Sequence, residues 1–240
     1  MWIIGHRGSA GTSPENTLLS IKQALNERVD WVEIDIRMVD ETIIVLHDET
    51  LDRTTDGSGS VYQYSLADLR KFDAGKGEKI PLLTDVMQAI DARAGLNIEI
   101  KQDNIVVPLI ELTDRYLRRQ PKWRDRLMLS SFIPEVMTEM SNTAPDGCLL
   151  GSLSESNADD PIQIAADLNA YSANISLAQL SSTLVERAHA HDLTVLVYTV
   201  NDIADIRRCF DLSVDGIFTD FPQRAIAFID NSPMIPGKLP

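Results

Sequence analysis

Cysteine is nearly absent from this chain: Cys148 and Cys209 are the only two in 240 residues. Two thiols cannot build a disulfide framework, and they read as small buried apolar residues of a reducing compartment. Aromatic residues make up only 6% and histidines number four. No run of about 18 apolar residues occurs, so no transmembrane helix is expected. The start, Met1-Trp2-Ile3-Ile4-Gly5-His6, lacks a basic segment ahead of a long apolar one, so no signal peptide is expected and a cytoplasmic location is the default. Positive charge is also scarce. The chain carries 22 Lys and Arg against 36 Asp and Glu, a net −14 at pH 7. That balance argues against nucleic acid or an anionic membrane as partner, and at long range it repels a phosphate-bearing ligand.

Apolar residues at 44% and charged residues at 24% are ordinary for a globular protein. A chain of this length buries roughly 70–75% of its unfolded surface, enough to fold without a metal or disulfide staple. Short strand-like runs recur at Trp2–Gly5, Trp31–Ile36, Leu96–Ile100, Leu127–Ser130, Cys148–Gly151, Tyr171–Asn174, Thr194–Tyr198 and Gly216–Thr219. Helical patterns lie between most of them. Pro14–Glu27 reads as a helix capped by Ser13, and Val106–Arg119, Pro134–Ser141, Pro161–Leu168, Leu184–Ala190 and Ile203–Phe210 follow in the same style. Eight strands alternating with helices predict an α/β fold, a (β/α)8 TIM barrel spanning the whole chain, with a doubly wound open sheet as the alternative.

Two features break the alternation. Ile43–Leu46 follows the second strand too closely for a crossover, so it reads as the returning arm of a hairpin. A turn centred near Glu41 would set His47 opposite Asp35. The connection, Asp40-Glu41-Thr42, lacks the glycine of a tight primed turn and suggests a longer loop. Beyond it, about 48–80 is a long polar segment, read as an insertion after the His47-Asp48 arm.

The strands of a parallel barrel should be almost continuously apolar, and two are not. In Trp31-Val-Glu-Ile-Asp-Ile36, Glu33 and Asp35 share one face while Val32, Ile34 and Ile36 share the other. Asn97-Ile-Glu-Ile-Lys101 repeats the pattern with Asn97, Glu99 and Lys101. The helices outside require the apolar faces, so the acids line the interior near the mouth. At about 4 Å and an effective dielectric near 20, each close pair of carboxylates repels by roughly 4 kcal/mol. One divalent metal ion that prefers oxygen ligands, Mg2+ or Ca2+, would offset this; the rival reading is an ion-pair cluster built with Lys101 and Arg37. His6 ends the first strand and His47 ends the hairpin arm, and both converge on the acids at the end where barrel enzymes keep their sites. His189 and His191 fall in a helix C-terminal turn and read as surface or capping residues.

Together these motifs resemble the glycerophosphodiester phosphodiesterase family. The resemblance rests on His6-Arg7-Gly8, Pro14-Glu15-Asn16-Thr17, Glu33-Ile34-Asp35, His47-Asp48, Arg53-Thr54-Thr55, Glu99-Ile100-Lys101, Ser131-Phe132, Tyr198-Thr-Val-Asn201 and Asp215-Gly-Ile-Phe-Thr-Asp220. It implies a metal held by Glu33, Asp35 and Glu99, catalytic histidines at His6 and His47, and phosphate contacts at Arg7 and Lys101. Glu15 and Asn16 would help to shape the site. Tyr198 stands where the family often has Trp, a flat wall for the glycerol with an added hydroxyl. The implied activity is metal-dependent hydrolysis of a small glycerophosphodiester to sn-glycerol 3-phosphate and an alcohol, with His6 favoured as base, His47 as acid and the reverse open. Lysophospholipase D-like hydrolysis of lysophospholipids and a non-catalytic glycerophosphodiester-binding barrel are the alternatives. A homodimer is the assembly left open.

Overall fold

The computed structural model describes residues 1–154 and 160–231. Eight parallel strands form a closed ring: β1 (Trp2–Gly5), β2 (Trp31–Val39), β4 (Gly95–Ile100), β5 (Leu127–Ser131), β6 (Cys148–Ser154), β7 (Ser172–Ser176), β8 (Thr194–Tyr198) and β9 (Gly216–Thr219). Pairing of β1 with both β9 and β2 closes it, so the fold is the TIM barrel expected from the alternation. Around it lie α1 (Leu18–Asn26), α3 (Leu83–Ile90), α4 (Val106–Arg119), α5 (Pro134–Thr143), α6 (Pro161–Asp167), α7 (Ser182–Ala190), α8 (Ile203–Asp211) and α9 (Pro222–Asp230). The sequence patterns singled out neither α3 nor α9.

The strand faces partition as the period of two requires. Val32, Ile34, Ile36, Leu96, Ile98 and Ile100 are buried with the helices in the main core. A second apolar cluster of Ile4, Trp31, Met128, Leu196 and Phe218 fills the ring together with the buried polar side chains of Asn97, Ser130, Ser172 and Asn174. In register, Glu33 stands beside Asn97 and Asp35 beside Glu99 on β2 and β4. Cys148 and Cys209 are both free, and burial pushes each thiol up to about 12, which keeps them neutral.

Three local expectations are corrected. The first helix begins at Leu18, not Pro14: Thr17 is its cap and accepts a hydrogen bond from the Ser20 N–H. Asn16 adopts φ 57°, which breaks the helix before it starts. The hairpin turn is tight rather than long. β3 (Thr42–Val45) pairs with β2 from Val39↔Thr42 to Ile36↔Val45, leaving only Asp40 and Glu41 in the turn, with φ of 48° and 57°. These are the left-handed angles of a primed turn, reached here without glycine. That register sets Leu46, not His47, opposite Asp35, and the Leu46 N–H donates to the Asp35 carbonyl at 3.0 Å. His47 therefore sits one residue further along.

The segment after the hairpin carries a short helix, α2 (Leu66–Leu69), and a small core of its own. Val39, Ile44 and Leu46 of the hairpin pack there against Leu51, Val61, Leu69 and Ile80. These contacts hold the segment against the hairpin, next to β2.

Candidate active site

Every functional side chain expected from the sequence lies at or just behind the C-terminal mouth of the barrel. A cleft of about 440 Å³ opens there. Its lining combines the charged His6, Arg7, Glu33, His47, Glu99 and Lys101 with the apolar Phe132, Leu153, Tyr198 and Phe218, and Lys101 Nζ lies 5.8 Å from the Phe132 ring centre.

Glu33, Asp35 and Glu99 are all buried, and one oxygen from each lies within 4.8 Å of the others. Asp35 is fully enclosed, with Asn16 donating to it at 2.8 Å and Lys101 Nζ 3.0 Å away. Lys101 also pairs with Glu99. Arg7 sets Nε 3.2 Å from Asp35, donates its backbone N–H to Glu33 at 2.8 Å and donates from Nη1 to Glu15 at 2.7 Å. The turn that aims it is packed tightly, because a Cβ on Gly8 would meet Ser20 backbone and side-chain atoms at 2.4–2.8 Å. Arg37 takes no part in this cluster. It donates to the His47 carbonyl at 3.0 and 2.8 Å, so the ion-pair role expected of it belongs to Arg7.

Two cations against three acids leave negative charge in the buried cluster. Lys101 and then Arg7 overcome the burial of Asp35 and hold its carboxyl below the usual range. On Glu33 the balance reverses: burial and then the neighbouring Asp35 outweigh His6 and Arg7 and push it up to about 8, and burial with Asp35 raises Glu99 too. Oε1 of Glu33 is buried with no hydrogen-bond partner among the described residues. An orphaned buried carboxylate oxygen facing two other carboxylates fits an oxygen-seeking divalent cation.

Each cleft histidine is tethered at Nδ1 by an aspartate. His6 lies 2.7 Å from Asp220 Oδ1, and His47 lies 2.6 Å from Asp48 Oδ1. Nε2 is thereby the ring atom left for chemistry, at 4.0 Å from Glu33 in His6. Burial opposes charge on His6, but the hydrogen bond to Asp220 and the nearby Glu33 overcome it and raise its pKa. On His47 burial prevails and lowers it. His189 instead pairs with Asp215 at 2.8 Å, and His191 caps α7, both away from the cleft.

Asp220 and Asp48 stand in motifs of the sequence that give neither of them a role. Asp48 directly follows His47, and that adjacency was a signal. Asp220 gave none, since only barrel closure brings β9 beside β1. The expected hydroxyl of Tyr198 is engaged, donating to the Ser154 carbonyl at 2.7 Å. Glu15 lies behind Arg7, bonded to it and to Arg53.

A TIM barrel with acids, histidines and cations gathered at its mouth defines a barrel enzyme acting on an anionic ligand. The glycerophosphoryl diester phosphodiesterase family matches over residues 6–224. A glycerophosphodiester phosphodiesterase of Caldanaerobacter subterraneus is 32% identical over 236 residues, covering 95% of this chain and 97% of its own. Another from Bacillus altitudinis is 32% identical over 236 residues, covering 93% and 96%. The structure of an Oleispira antarctica phosphodiesterase in complex with the product sn-glycerol-3-phosphate matches with a TM-score of 0.87 at 29% identity, covering 96% of this chain and 97% of that one. This chain belongs to the glycerophosphoryl diester phosphodiesterase family.

Proposed function

We propose that this enzyme hydrolyses glycerophosphodiesters to sn-glycerol 3-phosphate and a free alcohol, using the cleft at the mouth of the barrel. The observation that carries the reading is the paired tethering, His6 by Asp220 and His47 by Asp48, of two histidines that line one cleft with Arg7 and Lys101. Glu33, Asp35 and Glu99 would hold one divalent ion, Mg2+ or Ca2+, which supplies Lewis acidity toward a phosphate oxygen. Arg7 and Lys101 add positive charge where the phosphate must sit, and this local field counts for more than the net −14 of the chain. The apolar lining of Phe132, Tyr198 and Phe218 suits the carbon face of a glycerol backbone.

A diester resists attack because its oxygens are anionic and its leaving group is a poor alkoxide. The histidines address the second problem. One Nε2 accepts the proton of the nucleophile and the other delivers a proton to the departing alcohol, each transfer worth about 10²–10⁴-fold. Asp220 and Asp48 hold the rings in the tautomer that exposes Nε2 and stabilise the imidazolium when it forms. Among the described residues no helix is long and apolar enough to cross a membrane. Incubation with glycerophosphocholine, followed by phosphorus NMR, tests the reading: sn-glycerol 3-phosphate with free choline is the expected product pair, and phosphocholine or unchanged substrate would overturn it.

A further inference from the structure

One motif from the sequence, Arg53-Thr54-Thr55, has no part in the chemistry above, yet Arg53 reaches toward it from the insertion. Its guanidinium makes four hydrogen bonds to two carboxylates. Nε and Nη2 donate to Asp48 Oδ2 and Oδ1 at 2.7 and 3.0 Å. Nη1 and Nη2 donate to Glu15 Oε2 and Oε1 at 2.7 and 2.9 Å. Both carboxylates lead onward into the cleft. Asp48 Oδ1 holds His47 Nδ1 at 2.6 Å, and Glu15 Oε1 accepts from Arg7 Nη1 at 2.7 Å. A single side chain thus joins one cleft histidine to one cleft arginine.

We propose that Arg53 is a positioning residue for the hydrolysis, acting through Asp48 to orient His47 and through Glu15 to hold Arg7. The inference rests on the reading of the cleft given above. Its physical content is the fork. Only a planar guanidinium can meet two carboxylates with two parallel N–H bonds each, which fixes their orientation as well as their charge. Asp48 needs this support, because its carboxylate is partly exposed and, among the described residues, Arg53 is the one Lys or Arg paired with it. The hydrogen bonds from Arg53 and then from His47 hold Asp48 well below the usual carboxylate range. An ionised Asp48 accepts, so the proton of a neutral His47 stays on Nδ1 and the lone pair stays on Nε2. Arg53 is itself half exposed, and surface ion pairs add little to stability. Its loss should therefore be read in turnover rather than in melting.

The test compares R53Q, R53K, D48N and the R53Q/D48N double variant in kcat and KM for glycerol 3-phosphate release. R53Q is expected to lose about 10- to 100-fold in kcat, the range of a hydrogen bond to a charged group, at a nearly unchanged melting temperature. R53K, which lacks the fork, should recover only part of it. In the D48N background R53Q should cost only what the Glu15 arm carries, well short of its loss in the wild type, because residues acting through one another are not additive. Ring 15N NMR of the four histidines gives a readout independent of turnover: His47 should hold its proton on Nδ1 in the wild type and lose that preference in R53Q. If the wild type does not turn over glycerophosphocholine, the proposed function fails while the NMR comparison still tests Arg53. Wild-type turnover retained within twofold in R53Q, an unchanged His47 tautomer, or full additivity with D48N would each overturn the proposal. Should R53Q not fold, the kcat and the His47 tautomer of R53K decide the same question.

Discussion

Asp220 Oδ1 lies 2.7 Å from His6 Nδ1 across 214 residues of chain. Closure of the barrel makes the contact, since β9 pairs with β1 in the register Gly5↔Thr219. Asn201 then fixes the carboxylate, donating to Oδ2 at 2.6 Å and accepting from the Asp220 N–H at 2.9 Å. Asp220 is thus built into the site as firmly as the histidine it holds.

Asp220→Asn should therefore cost turnover without costing the fold. The amide either presents N–H to His6 Nδ1, forcing the ring proton onto Nε2, or flips and loses Asn201. A fall in kcat of about 10²–10⁴-fold is expected, as for a misplaced acid–base group, with KM and melting temperature little changed. Steady-state kinetics beside a thermal melt check this, and a fall of less than threefold would make Asp220 a packing residue.

The metal-free protein should lose stability as pH rises. Folding raises Glu33 to about 8 through burial and then Asp35, against an ordinary Glu near 4.3. Between those values the folded state binds more protons than the unfolded one, so stability falls with rising pH, and the full penalty is reached above the folded value. Thermal melts in EDTA from pH 5 to 8 should decline more steeply in wild type than in Glu33→Gln. Parallel curves would show that Glu33 carries no such strain.

The hairpin offers a test of local geometry. Glu41 is exposed and holds φ 57°, a conformation costing a side-chain-bearing residue roughly 1–2 kcal/mol. Glycine avoids that cost but gives back about 0.5–1 kcal/mol in chain entropy. Glu41→Gly should therefore stabilise the protein by about 0.5–1 kcal/mol in urea unfolding. A loss of stability would mean that the turn is held by the Glu41 side chain.

Much of this architecture was legible because strands announce themselves locally. The alternation of Glu33 and Asp35 with Val32, Ile34 and Ile36 settled which face looked inward, and the structure agrees. Local signals failed where tertiary contacts decide. Pro14 and Glu15 have the residue types of a helix start, but Asn16 turns left-handed to reach Asp35, so α1 waits for Thr17. The tight turn at Asp40 and Glu41 was hidden because neither residue is glycine, and that hid the hairpin register by one residue. Asp220 and Arg53 became meaningful only when distant segments met at the mouth.

The central claim is that Glu33, Asp35 and Glu99 hold a divalent ion on which hydrolysis depends. Exhaustive chelation with EDTA, followed by addition of excess Mg2+ or Ca2+, tests it most directly when glycerol 3-phosphate release from glycerophosphocholine is followed throughout. The expected result is loss of turnover on chelation and recovery with one of the two ions, and no recovery in Glu99→Gln. Undiminished turnover after thorough chelation would contradict it.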